Sequence, residues 1–142
     1  MKKRKITFYT ILLSVLLILI GGYVLHKNEK DRYIEVQKNR IDLYFKYNLK
    51  NYHSLTIKDV DKNPMGDYLI KGYVNNNKEL YFTATMNETS DYQFDNQMSM
   101  SENLSNMFKT QNDLDKFPSQ IIKEKKLNEK DYEADPPLIW GF

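Results

Sequence analysis

An uncharged run of twenty residues, Ile6 to Leu25, constrains this chain more than any other feature. As a helix rising about 1.5 Å per residue it covers about 30 Å, the thickness of a bilayer core. A buried core helix is disfavoured because no polar stripe interrupts the run. A cleaved signal peptide is the stronger rival. It usually has a shorter apolar region and a small-x-small cleavage site, whereas Gly21-Gly22-Tyr23-Val24-Leu25 leads into bulky residues. The run therefore predicts a retained signal-anchor. Lys2, Lys3, Arg4 and Lys5 before it outweigh the mixed Lys27, Glu29, Lys30, Asp31 and Arg32 after it. The positive-inside rule then predicts a basic cytoplasmic tail at residues 1–5, a membrane span at 6–25, and an extracytoplasmic domain at 28–142 of a single-pass cell-membrane protein.

The anchor also explains the overall charge. Without the basic residues at positions 2–5 and 27, the chain keeps 16 basic against 19 acidic residues, so the outer domain is mildly acidic. Without a basic stripe, nucleic-acid binding has no electrostatic footing. The chain contains no cysteine, which removes disulfides, thiol nucleophiles, thiolate metal sites and lipid attachment at a lipobox. Roughly 115 residues, above the ~70–80 range where small scaffolds need staples, must then hold together by packing alone. Abundant Lys, Asn, Ile and Tyr suggest an AT-rich genome, such as that of a low-GC Gram-positive bacterium.

Periodicity divides the outer part into elements. From Glu29 to about Lys50 the chain reads as a long helix, with Ile34, Ile41, Phe45 and Asn48 on one stripe, widened by Gln37 and Tyr44. Tyr33, Val36, Leu43 and Tyr47 form a second stripe, giving the broad apolar face of a helix lying across a sheet. So few charged residues separate it from the span that the two helices are expected to be nearly continuous. After Tyr52 the period becomes two, with Leu55 and Ile57 alternating with polar residues up to the Asn63-Pro64-Met65-Gly66 turn. Tyr68, Ile70, Gly72 and Val74 share one face of the next strand, which ends at Asn75-Asn76-Asn77, asparagines that tolerate positive φ. Leu80, Phe82, Ala84 and Met86 line a third strand, and a fourth is expected around Tyr92 and Phe94. Helical spacing returns from Met98 to Thr110, capped by Ser99 or Ser101. Pro118 opens a short helix, and Asn128 caps one more turn through Tyr132. The fold class is thus α+β: a long helix on a four-stranded antiparallel meander, cystatin-like by analogy, with short C-terminal helices and an extended apolar tail.

Chemistry is sparse in this reading. His26 adjoins the span and His53 sits at a helix-to-strand junction with no partner motif, so no catalytic set is predicted and the chain is read as a non-enzyme. Asp131, Glu133 and Asp135 lack the glycine and ligand rhythm of a calcium loop and read as a solvated acidic turn. No catalytic, cofactor or metal residue is assigned. The eleven tyrosines are the compositional oddity. They serve either as half-core residues or as low-entropy anchors on a binding face. Tyr73 and Tyr81 fall on the sheet face opposite Ile70, Val74 and Phe82, and periodicity alone leaves open which face the helix covers.

The final stretch, EADPPLIWGF, adds Leu138, Trp140 and Phe142 to the partner-binding candidates. Two prolines force an extended approach. The tail then either latches onto its own domain, where Trp140 and Phe142 contribute about 2–3 kcal/mol each before ordering costs, or is offered to a partner.

Four stretches, YIEVQKNRIDLYFKYNLKNYHSLTI, KNPMGDYLIKGYVNNNKELYFTA, MSENLSNMFK and PSQIIKEKKLNEKDYEADPPLIWGF, resemble the small exported staphylococcal proteins grouped as "domain of unknown function 1433". The likeness spans about residues 31–142, and the NPMG turn, LYFKYNLK and DYEADPP are its most specific elements. It implies an exported, membrane-associated protein, often encoded among similar copies. This chain departs from the lipoprotein members because no cysteine follows its apolar run. No catalytic residue is defined for the family, so none transfers. The functional expectation is a membrane-anchored protein-binding module, with an immunity protein against a secreted antibacterial effector such as a lipase as its concrete form. The alternative is a non-enzymatic envelope or host-interaction protein.

Overall fold

The computed structural model describes residues 2–109 and 115–140, with side chains from Ile6 onward. One helix, α1 (Lys2–Asn48), contains both the apolar run and the predicted long helix without a break. At about 1.5 Å per residue it is roughly 70 Å long. Residues 6–25 are exposed along their whole length, while Tyr33, Val36, Ile41, Leu43, Tyr44 and Phe45 are buried. The expectation of near continuity therefore holds.

The covered half of α1 lies on a four-stranded antiparallel sheet in the order β1 (Leu55–Lys62), β2 (Tyr68–Val74), β3 (Tyr81–Met86) and β4 (Met98–Met100). The sheet face it covers is the one carrying Tyr68, Ile70, Val74, Phe82, Ala84 and Met86. Each connecting turn follows its sequence. Gly66 adopts φ of 98° in the NPMG turn, whose Asn63 side chain accepts the Met65 and Asp67 N–H groups. Asn75 and Asn76 both take positive φ in the turn that Asn77 closes by donating its N–H to the Val74 carbonyl, and Val74 then pairs with Leu80 across the longer loop. Gly72 faces the bulged part of β1, where a Cβ would collide with the Thr56 carbonyl and the Phe82 ring.

Ring contacts fix the direction of the sheet. Phe45 packs on Phe82 at 5.1 Å, and Tyr33 on Tyr68 at 5.3 Å. Following α1 back toward its apolar half thus leads along the hairpin toward the NPMG turn. The Asn75-Asn76 turn points the opposite way.

The fourth strand is a correction. It lies at Met98–Met100, and the segment around Tyr92 and Phe94 is an irregular loop following a one-turn 3-10 helix at Glu88–Ser90. Asp91 and Tyr92 sit in the left-handed region, which no strand can pass through, and Phe94 is buried as a core plug. The helix expected over 98–110 shrinks accordingly to α2 (Glu102–Ser105), with Ser101 accepting the Leu104 N–H as its cap. α3 (Pro118–Lys125) begins at Pro118, with the Gln120 side chain accepting the Phe117 N–H. It packs Ile121 and Ile122 on Leu43, so α1 lies between sheet and α3. Asn128 caps a last turn at Glu129–Asp131.

Polar residues on the buried side of α1 hold these irregular segments. Gln37 Oε1 accepts the Phe94 N–H at 2.7 Å. Arg40 donates to the Phe94 carbonyl at 2.5 Å, the Tyr132 carbonyl at 3.0 Å and Asp95 at 3.3 Å. Asp95 in turn accepts the backbone and hydroxyl of Ser119 in the first turn of α3. Asn48 makes a reciprocal pair with the Lys116 backbone.

Candidate binding face

The sheet face turned away from α1 is built in rows across the strands. Thr56, Tyr73 and Tyr81 form one row, and Asp59, Lys71, Thr83 and Ser99 the next. Because strand side chains alternate, these residues share a face as surely as Ile70 and Phe82 share the other. Lys71 and Asp59 are paired at 3.5 Å, both well exposed, a contact of little energetic weight. Around them Lys58, Lys78, Tyr73 and Tyr81 border a shallow hollow of about 600 Å³ lined by strand and turn residues alone. Tyr81 is 58% exposed. A tyrosine pair flanked by lysines offers flat apolar area and hydroxyl donors at low conformational cost, with cationic groups at its rim.

The five candidate residues do not form one site. Tyr73 and Tyr81 face each other across β2 and β3 at the end of the sheet beside the Asn75-Asn76 turn. Trp140 lies at the opposite end, its ring 4.6 Å from Tyr68 and 6.3 Å from Tyr33. Leu138 is close to it in sequence yet 98% exposed. Phe142 lies outside the described residues. The tail thus latches through Trp140 but not through Leu138. It runs along α1 rather than along the sheet, from Asn39 and Arg40, which donate to the Asp131 and Tyr132 carbonyls, to Lys30, which donates to the Trp140 carbonyl.

A second, more polar hollow of about 720 Å³ opens between the loop at Asp91–Asp95, α3 and residues 129–135. Its principal cation, Arg40, is already committed to two carbonyls and Asp95, which makes the cleft a by-product of the struts that close the fold. Burial pulls the Arg40 pKa below its usual value, partly offset by Asp95 and Glu133, and a guanidinium keeps its charge regardless. Asp131, Glu133 and Asp135 are exposed, as a solvated acidic turn should be, and no cluster of three metal-ligating residues converges among the described residues. His53 is exposed, and its backbone N–H is held by Asn75.

Sequence reading passed over Arg40 and Gln37 as organisers of the fold. The available signal was their spacing: Gln37, Arg40, Ile41, Tyr44 and Asn48 recur at helical intervals on the core side. A polar residue in that pattern is buried only if another segment supplies its partners.

Taken together, the molecule is a small α+β domain carried on a helix long and apolar enough to cross a membrane. The chain belongs to the protein family of unknown function DUF1433, whose model matches residues 33–123, well over half its length. It is also similar to a folded 79-residue fragment of Lin0334 from Listeria innocua, solved in solution by NMR. The two share 31% identity with a TM-score of 0.52, and the match covers 66% of this chain and 94% of the fragment. No curated protein matches the chain.

Proposed function

We propose that the chain is a single-pass membrane protein whose α+β domain stands outside the cytoplasm. There it binds a protein partner, without catalysis, through the open sheet face around Tyr73 and Tyr81. The observation that carries this reading is the position of that tyrosine pair, Tyr81 exposed and Tyr73 half-buried, on the face α1 leaves uncovered at the end of the sheet remote from the apolar helix. A partner arriving from outside meets this end first. Its most concrete form is an immunity protein that captures a secreted antibacterial effector such as a membrane-attacking lipase before it reaches the bilayer. Such a role requires a rigid outward face and no reactive groups.

The test is a stoichiometric complex between the full chain in detergent micelles and one secreted protein of the producing strain or its relatives. Tyr73→Ser with Tyr81→Ser should lower the unfolding free energy by no more than about 1 kcal/mol, since Tyr81 is exposed and Tyr73 half-buried. The same double change should weaken the complex by about 2 kcal/mol or more, roughly thirtyfold in Kd, if these are anchor residues. A complex that survives the double substitution unchanged places the binding face elsewhere. Cells lacking the protein and its paralogues should become sensitive to that effector, and unchanged sensitivity removes the immunity role.

A further inference from the structure

Outside the apolar run, the large hydrophobic side chains that stand exposed among the described residues are Met65 (89%), Tyr81 (58%), Leu138 (98%) and Ile139 (56%). Tyr81 belongs to the far face already described. The other three share the opposite end. Met65 sits in the NPMG turn three residues before Tyr68, and Leu138 and Ile139 immediately precede Trp140, whose ring contacts Tyr68. Two lysines dress the same edge. Lys30 Nζ lies 4.8 Å from the centre of the Trp140 ring, and Lys62 Nζ 4.8 Å from the centre of the Tyr68 ring.

The height of this edge follows from the helix. Lys30 is five residues beyond Leu25, or about 7.5 Å along the axis at ~1.5 Å per residue. The headgroup layer occupies about 5–7 Å on each side of a ~30 Å hydrocarbon core in a bilayer of ~40–45 Å. With residues 6–25 in the bilayer, Trp140 beside Lys30 therefore stands at the outer edge of the headgroups. Tryptophan, tyrosine and lysines with apolar stems are the residues that settle at this level. Met65, Leu138 and Ile139, which nothing in the fold requires to be exposed, gain apolar contact only from lipid.

We propose that this edge is a membrane-seating surface, in which Leu138, Ile139, Trp140 and Met65 rest on the bilayer interface around the emerging helix. This inference rests on the membrane-spanning reading of residues 6–25. Glu29, Asp31, Asp61 and Asp67 lie close to Lys30 and Lys62 in sequence, so the edge carries no strong net charge. Seating is driven by apolar and aromatic contact rather than by anionic lipid. Together with an unbroken helix, it fixes the tilt of the domain and holds the Tyr73–Tyr81 face away from the membrane.

Trp140 is the sole tryptophan and reports directly on this geometry. The full chain is reconstituted in phosphatidylcholine vesicles containing lipids brominated either near the headgroup end or near the tail end of the acyl chains. Trp140 emission should be quenched several-fold more by the shallow bromines than by the deep ones, with little change on adding salt. Leu138→Asp with Ile139→Asp and Met65→Asp should reduce the shallow quenching to a small fraction, while leaving thermal unfolding in micelles unchanged. Absent quenching in vesicles from which alkaline carbonate fails to extract the chain overturns the seating alone. Quenching that the triple variant retains in full overturns it too, because the helix alone then sets the height of Trp140. Extraction of the parent chain by carbonate overturns the spanning reading and the seating together.

Discussion

The two halves of α1 share one backbone and meet opposite surroundings. Residues 6–25 are mostly apolar and exposed along their whole length, whereas residues 33–48 are buried on a broad face and polar elsewhere. The difference shows most clearly in the polar side chains. In the bare half, Thr10 and Ser14 donate back to the carbonyls of Thr7 and Ile11, each at 2.8 Å, so their hydroxyls are satisfied within the helix itself. In the covered half, Gln37, Arg40 and Asn48 reach outward to the backbone of the 93–95 loop, Tyr132 and Lys116. A helix facing hydrocarbon must satisfy its own polar groups, while one facing a folded chain can use them to bind loops.

The comparison can be broken most completely with alkali. The covered half carries Tyr33 and Tyr44, and the adjoining Tyr52 lies against it. All three are pushed well above the ordinary tyrosine value of 10.0, mainly by burial. The neighbouring Tyr68 and Tyr92 add to the shift at Tyr33, and Asp115 and Asp42 reinforce it at Tyr44 and Tyr52. Above pH 10 the unfolded chain gives up protons that the folded chain keeps, so folding stability is full below that value and falls as pH rises beyond it. Circular dichroism with tyrosinate absorbance should show the domain unfolding cooperatively as tyrosinate forms. The bare half should keep its helicity in micelles.

A large packing effect comes next. Phe45→Ala removes a fully buried ring stacked against Phe82, Tyr44 and Tyr52, and should cost about 3–5 kcal/mol in thermal or denaturant unfolding of the full chain in micelles. Leu16→Ala, in the bare half, should leave that transition in place. Equal effects of the two would mean that the halves fold as one unit.

Arg40→Ala should cost less, about 1–3 kcal/mol, because the Phe94 and Tyr132 carbonyls are left buried without their donor. Arg40→Lys should recover little of it, since one ammonium cannot serve the three acceptors a guanidinium spans. Faster hydrogen exchange around Phe94 and Tyr132 would identify the loops released.

The smallest effect belongs to Lys46, exposed and paired with Asp42 at 2.7 Å one turn away. The hydrogen bond to Asp42 raises its pKa, yet the pair sits in water, and Lys46→Ala should cost no more than about 0.5 kcal/mol. High salt should erase the difference.

Much of this architecture was legible in the sequence because its causes are local. Asn75-Asn76 and the NPMG turn dictated their hairpins, Ser101, Pro118 and Asn128 marked helix starts, and alternation assigned every residue of β2 to its face. The same locality explains the failure at residues 91–100. Tyr92 and Phe94 alternate as a strand should, yet the loop is bent by left-handed Asp91 and Tyr92 and stabilised by Gln37 and Arg40, more than fifty residues away. No window of neighbouring residues contains that information. The candidate site divides in the same way. That Tyr73 and Tyr81 share a face follows from a period of two, but that this face stays open was decided by α1 choosing the other.

The apolar run and its length, the long helix, the positions of the hairpin turns, the faces of β2 and the lack of any cysteine chemistry could be read from residues alone, because period, turn residues and composition act within a few residues. Contacts between distant segments settled the rest: the bulge in β1, the return of Trp140 along α1 to Tyr33 and Tyr68 while Leu138 stays exposed, and the placing of the tyrosine pair and the tail at opposite ends of the domain. Those outcomes depend on contacts between segments distant in the chain, whose energies exist only once the fold has brought them together.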